Sequence, residues 1–332
     1  MCKFFRCLIT KDRVYWNRNT DSHEDIITMY RLKDNEVDLV RVELLPIDGD
    51  VFNLNRENWK LEIDQDILPV WFEKSLYEDE VFKAFSRCVE NAFLIGKERR
   101  VINSGRWFIK DSKISYICGN AKVEIIDGNS EVLMIGDDVR VNTIKGNTEI
   151  EEIQGDVFIH NIQGSSIVNS ISGYVFVGSI KENTKVNFIN GNARIGDICE
   201  NAEIVSISHN AYIHRIYGNV IIHTINGYVR VKFVERDVKI DSVSGNACVG
   251  IIGEDVFSEK GDKYGVVINE VSGNSFVDAF SGTFIERVLG NAVIRAYKES
   301  EVKSVFEDAV VIDMRNHKIS MHLYPYIGGK NG

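Results

Sequence analysis

Asn190–Ile198 (NGNARIGDI), Cys199–Ile207 (CENAEIVSI), Ser208–Ile216 (SHNAYIHRI) and Tyr217–Ile225 (YGNVIIHTI) are four consecutive copies of one nine-residue pattern. Extended in both directions, the pattern divides Cys118–Ile252 into fifteen units without a gap. The sixth and ninth positions are Ile or Val in all fifteen, and the fourth is Ala, Val, Ser or Thr. The second is Gly in ten, and the third is usually Asn or Asp. A fixed short period of this kind specifies stacked architecture.

The physics of one unit follows from the spacing. Positions 4 and 6 are two apart, so on a strand they face the same way, inward. Position 9 is apolar but three residues further on, where a straight strand would point it out. The chain must therefore turn near positions 7 and 8, and again at positions 2 and 3. Gly and Asn suit that second corner because they tolerate positive φ. One unit alone buries little; stacked units bury three small apolar columns and pair their backbones with the coils above and below. None of the three prolines, Pro46, Pro69 and Pro325, lies between residues 70 and 324, so every N–H there is available to a ladder.

The fourth position fixes the coil size. Numbered from Cys118, even units 2 to 8 carry Ser130, Thr148, Ser166 and Thr184, whereas odd units 3 to 7 carry Val139, Val157 and Val175. Such alternation means that two unlike units make one coil of about 18 residues; a three-unit coil would mix the two classes. The expected fold is mainly β: a parallel β-solenoid of 18-residue coils, each from two nonapeptides, over residues 106–332, behind a small α+β capping domain over residues 1–105.

Working outward, Gly253–Val271 holds one unit plus ten extra residues near Phe257–Val266, which read as a protruding loop. Ser272–Phe280, Leu289–Tyr297 and Phe306–Met314 then recur with eight-residue slips between them, and an aromatic tail from about Arg315 is expected to cap the open end. In the first 105 residues, Lys3–Thr10 and Val14–Trp16 read as a hairpin. Asp21-Ser22-His23-Glu24 opens a helix to about Leu32, with Asp or Ser as N-cap. Val37–Leu45 and Trp59–Ile63 read as strands, and Tyr77–Leu94 carries a helical apolar stripe. No Gly/Ser/Pro-rich linker separates this segment from the repeats, which predicts rigid packing between them.

The 332 residues are 44% hydrophobic and 27% charged, with a net charge of −10. That balance fits a soluble chain with a core and argues against wholesale duplex binding. No apolar run reaches the roughly 18 residues of a membrane span, and the N-terminus lacks the features of a secretory leader, so no membrane contact and a cytoplasmic location are expected. Six cysteines form no Cys-x-x-Cys pair, and seven histidines show no metal spacing; reduced thiols and no metal are expected.

Candidate sites are few. Asp21-Ser22-His23-Glu24 reads as an acid–base cluster or, more simply, as a helix cap with a surface histidine. Asp64 and Asp66 read as cation ligands or as the end of a strand. His160, His209, His214 and His223 would have to converge to bind a metal, and in an 18-residue coil His214 and His223 fall on opposite faces. The fifth position, between two inward residues, points out. In odd units it is Lys122, Arg140, Phe158, Phe176, Arg194, Tyr212, Arg230 and Cys248, without an acid; in even units it is an ordinary mixture. Tyr174 and Tyr228, two residues before Phe176 and Arg230, join the odd face. Phe158, Tyr174, Phe176, Arg194, Tyr212, Tyr228 and Arg230 are thus the candidate binding face, because aromatics and Arg are enriched at interfaces. The competing reading is a ladder of like side chains stacked for packing alone.

The opening MCKFF (residues 1–5), DSHEDII (21–27), DQDILPVWF (64–72) and the following GNAxVxxV-type repeats resemble a family of phage and bacterial-genome proteins that has no established activity. The resemblance spans most of the chain and implies a phage or prophage setting without a mechanism. Calcium β-rolls also use nonapeptides but need Gly-Gly-x-Gly-x-Asp, and most corners here lack the Asp. Sugar-cleaving β-helices and hexapeptide acyltransferases match neither in period nor in clustered catalytic groups. The sequence therefore points to a non-enzymatic binding or scaffold protein without a cofactor. Its expected partner is a protein, such as a host protein bound by a phage factor; the alternatives are a second copy of the chain, or a nucleotide or single-stranded nucleic acid stacked on the aromatic–Arg face.

Overall fold

The computed structural model describes residues 5–20, 22–235, 237–252, 265–280, 282–297 and 300–314. The expected loop at 257–266 falls almost wholly outside these residues, as does the expected C-terminal cap. The chain divides into two compact units, 1–203 and 204–332.

The first unit opens with a four-stranded antiparallel sheet, β1 (Phe5–Thr10), β2 (Val14–Tyr15), β3 (Leu39–Pro46) and β4 (Trp59–Ile63), in the order β2-β1-β3-β4. Alternation along β1 and β3 gives this sheet two apolar faces. Leu8 and Leu39 pack against Ile26 and Ile27 of helix α1 (His23–Tyr30). Cys7, Ile9, Val40, Val42 and Leu44 face the opposite way, against Val81, Ala84, Phe85 and Cys88 of helix α2 (Lys74–Ala92). Ser22 caps α1, its hydroxyl accepting from the Asp25 N–H at 3.2 Å, and Glu24 and Asp25 fill the first turn as the helix dipole favours. Arg31 ends α1 in the left-handed region at φ 52, so the helix stops two residues earlier than its apolar pattern suggests.

Parallel pairing begins at β5 (Phe93–Ile95), directly after α2, rather than at residue 106. β5 pairs with β7 (Arg106–Lys110), and β6 (Glu98–Ile102) pairs with β8 (Lys113–Ile117). Glu98 pairs with Lys113, only fifteen residues on, and no Gly-Asn corner marks this coil, so its sequence does not announce itself. Phe93 stacks on Phe108 with ring centroids 4.7 Å apart, and both belong to the core that α2 covers. The antiparallel domain and the first coils therefore share one apolar core, as the missing linker requires.

From β8 onward the coil is eighteen residues. Lys113, Glu131, Glu149, Ile167 and Lys185 are successive partners in one sheet, and Lys122, Arg140, Phe158, Phe176 and Arg194 in the other. These are the even and odd sheets. Positions 4, 6 and 9 are buried in all repeats from Cys118 to Val243, with Val177, Ile180 and Ile189 fully inaccessible. The register skips position 7 (Asn142, His160), so the expected turn at positions 7 and 8 is a bend inside one strand that turns both position 6 and position 9 inward. At the other corner every described second position has positive φ, including the non-glycines Asp137, Glu182, Glu200 and His209. The hydroxyls of Ser130, Thr148, Ser166 and Thr184 are fully buried, and each donates to the carbonyl three residues before it at 2.6–2.7 Å. This is the physical meaning of the Ser/Thr column: it satisfies corner carbonyls that would otherwise face an apolar interior.

The second unit has the same construction. Tyr212, Arg230, Cys248, Phe276, Val293 and Val310 are successive partners in its odd sheet, and Ile221, Lys239, Val267, Phe284 and Glu301 in its even sheet. Cys248 meets Phe276, so the ten extra residues leave the pairing intact. Thereafter the coil contracts to seventeen residues, Phe276 to Val293 to Val310. The shortened unit Ser281–Val288 (SGTFIERV) goes from Gly282 at the corner directly to buried Thr283, omitting one corner residue.

Candidate functional site

The fifth position points outward in both units. Phe158 and Phe176 are paired across the odd sheet and stack nearly parallel, 10° between planes and 5.2 Å between centroids, yet remain 43% and 39% exposed. Arg194 follows Phe176 in the same column. Tyr174, at a corner two residues before Phe176, is 71% exposed. In the second unit Tyr212 is half-buried and pairs with Arg230, while Tyr228 at the corner is 65% exposed. The packing ladder and the exposed face are thus both present at Phe158 and Phe176: the rings stack on each other and still offer their outer surfaces.

Charge distinguishes the two sheets. Among the described residues, Arg140, Arg194 and Arg230 make no ion pair. On the even sheet the corresponding charges are matched within their own column, Lys113 with Glu131 and Lys185 with Glu203, both at 2.8 Å. Beside them, Asn169 donates to Glu151 and Asn187 donates to Asn169, at 2.7 and 3.0 Å. On the even surface of the first unit Lys113 and Lys185 are thus held by glutamates of the next coil, while the odd surface carries guanidinium groups whose donors face solvent.

Of the dispersed histidines, His214 lies in an odd-sheet strand and His223 in an even-sheet strand; His223 Nδ1 is 2.7 Å from Asp241 Oδ2. The N-terminal candidates behave differently from expectation. Asp21 lies outside the described residues. His23 is no surface cap: it is 2% exposed, because it occupies the first turn of α1 where that helix lies against the sheet. Its Nε2 is 3.1 Å from the Val42 carbonyl oxygen, and its Nδ1 is 3.5 Å from Asp64 Oδ2. Glu43, 3% exposed on β3, completes the cluster; Arg6 Nε donates to Glu43 Oε1 at 2.8 Å. Burial is the main influence on the His23 imidazole and holds its pKa below the ordinary histidine value, with the Arg6 charge acting in the same direction. Antiparallel pairing of β3 with β4 brings residues 43 and 64 near each other, and the packing of α1 on the sheet adds His23. Sequence reading weighed His23 and Asp64 separately and missed Glu43, whose position in an alternating strand gave no sign that it was buried. Asp66, flanking Gln65 with Asp64, is outside this cluster.

No helix among the described residues is long and apolar enough to cross a membrane. No protein-family model, curated protein or solved structure matches the chain.

Proposed function

We propose that this chain is a non-catalytic binding or scaffold protein whose odd sheet holds a protein partner, in the manner of a phage-encoded factor that occupies a host protein in the cytoplasm. The observation that carries this reading is the asymmetry between the sheets: stacked, half-exposed phenylalanines beside unpaired arginines on one, lysines matched to glutamates of the next coil on the other. Aromatic and Arg side chains dominate the energy of protein interfaces, and a guanidinium without an internal partner is ready for a carboxylate or a carbonyl. A β surface held by backbone ladders loses little entropy on docking. No cofactor enters this reading.

The test is a paired variant. Phe176→Ala with Arg194→Ser should cost only about 1 kcal/mol of stability, the Phe158–Phe176 stack, and should remove partners recovered from a host lysate by the wild-type chain. Glu131→Gln with Lys185→Gln on the even sheet should remove none. Equal losses on both sheets overturn the assignment. Self-association through the same face would appear as a concentration-dependent mass in solution that the odd-sheet variant abolishes. Single-stranded nucleic acid would appear as steeply salt-dependent binding of a labelled oligonucleotide.

A further inference from the structure

We infer that His23, Glu43 and Asp64 form a binding site for one divalent transition-metal ion of the zinc class, tying α1 to strands β3 and β4. One ligand atom from each residue lies within 4.8 Å of the other two. The approach of His23 Nδ1 to Asp64 Oδ2, 3.5 Å, is long for a hydrogen bond. It is close to the separation of two ligands on one tetrahedral zinc ion, about 3.3–3.4 Å for bonds of roughly 2.0–2.1 Å. The Val42 carbonyl only accepts, so the Nε2 at 3.1 Å carries the ring hydrogen. With Nε2 on the Val42 carbonyl, Nδ1 is the ring nitrogen left to ligate, 3.5 Å from Asp64 Oδ2. A carbonyl that fixes the far nitrogen of a ligating histidine is the usual support of such sites. Arg6 holds the Glu43 carboxylate from the side and offsets part of its charge. Asp64, with its side chain 38% exposed, is the way in from solvent. One nitrogen and two carboxylate ligands suit zinc or manganese, and the oxygen-rich set argues against copper(I).

The test uses the full chain, stripped with a chelator and titrated with Zn²⁺ by calorimetry and with Co²⁺ by absorption. One ion per chain is expected. The Co²⁺ complex should lack a thiolate charge-transfer band, which separates this site from the free thiols. Asp64→Asn, at the exposed mouth of the site, should keep the wild-type circular dichroism and weaken Zn²⁺ binding by at least about tenfold. Zn²⁺ at a fixed excess should raise the melting temperature of the wild type and raise that of Asp64→Asn by less. His223→Asn, at the other His–Asp pair, should bind as the wild type does. Absence of saturable binding, equal affinity in Asp64→Asn, loss of binding in His223→Asn, or a thiolate band would each overturn the assignment.

Discussion

Glu182 and Glu200 occupy the same corner position on successive coils, at φ 60 and φ 63, and replacing each with glycine should move stability in opposite directions. Holding a non-glycine residue in the left-handed region costs about 1–2 kcal/mol, and glycine would relieve that. Glycine adds unfolded-state entropy worth roughly 0.5–1 kcal/mol, so the backbone balance favours glycine by about 0.5 kcal/mol. Glu200→Gly should show that gain, because its exposed carboxylate makes no hydrogen bond among the described residues. The Glu182 carboxylate instead accepts from the Gly164 N–H of the coil below at 2.8 Å. A hydrogen bond to a charged acceptor contributes about 1.5–3 kcal/mol when enclosed and nearer 1 kcal/mol at this half-buried corner. Glu182→Gly should therefore lose about 0.5 kcal/mol, leaving the two variants roughly 1 kcal/mol apart. Urea midpoints at unchanged m-value measure the difference. Amide exchange at Gly164 adds a local readout, faster in Glu182→Gly and unchanged in Glu200→Gly. Identical shifts in both variants, with Gly164 exchange unaltered, would refute the idea that the carboxylate compensates for the strained corner.

Thr184→Val keeps the shape but removes the hydroxyl that donates to the Lys181 carbonyl at 2.7 Å; thermal melting should register a loss of about 1–2 kcal/mol. Val in the same place on the odd sheet, as at Val175, is native and fully buried, so a neutral result would mean the two columns are interchangeable. Burial pushes the Cys88 thiol up to about 11 and Cys7 higher still. Both should therefore resist alkylation in the native protein at pH 8 and react once urea unfolds it, as peptide mapping would record. Labelling of Cys7 in the folded chain would contradict its place beneath α2.

The solenoid was legible because its constraints are local and repeated. Positions 4, 6 and 9 recur at the same spacing through fifteen units, and the alternation of Ser130 and Thr148 with Val139 and Val157 discloses the two-unit coil without any coordinate. The coil that starts at Phe93 was not legible, since its fifteen-residue spacing and aromatic packing against α2 belong to the junction and not to the repeat. Corners occupied by Asp137, Glu182, Glu200 and His209 break the Gly-Asn pattern while keeping its backbone, so the pattern describes a preference and the ladder enforces the geometry. The outward direction of Phe176 and Arg194 followed from strand alternation, whereas the pairing of charges on the even sheet needed side-chain distances. Glu43 and Asp64 meet only through antiparallel register, and His23 joins them only where α1 packs on the sheet. Nothing in a linear spacing announces such a meeting, and a histidine after a Ser cap looks like any surface residue until the helix is laid on the sheet.

Glu131, Glu149, Ile167 and Lys185 hold one register position on successive coils. A tandem duplication or deletion of one whole coil by replication slippage would therefore return each downstream strand to a neighbour of its own kind. A gain or loss of nine residues would do the reverse, setting the hydroxyl column against the valine column and exchanging the two surfaces. Length in such a gene can drift coil by coil while the width of the surface and the order of its columns are inherited unchanged. Selection can then act on two separate variables: the number of coils, and the side chain that each coil presents at its fifth position.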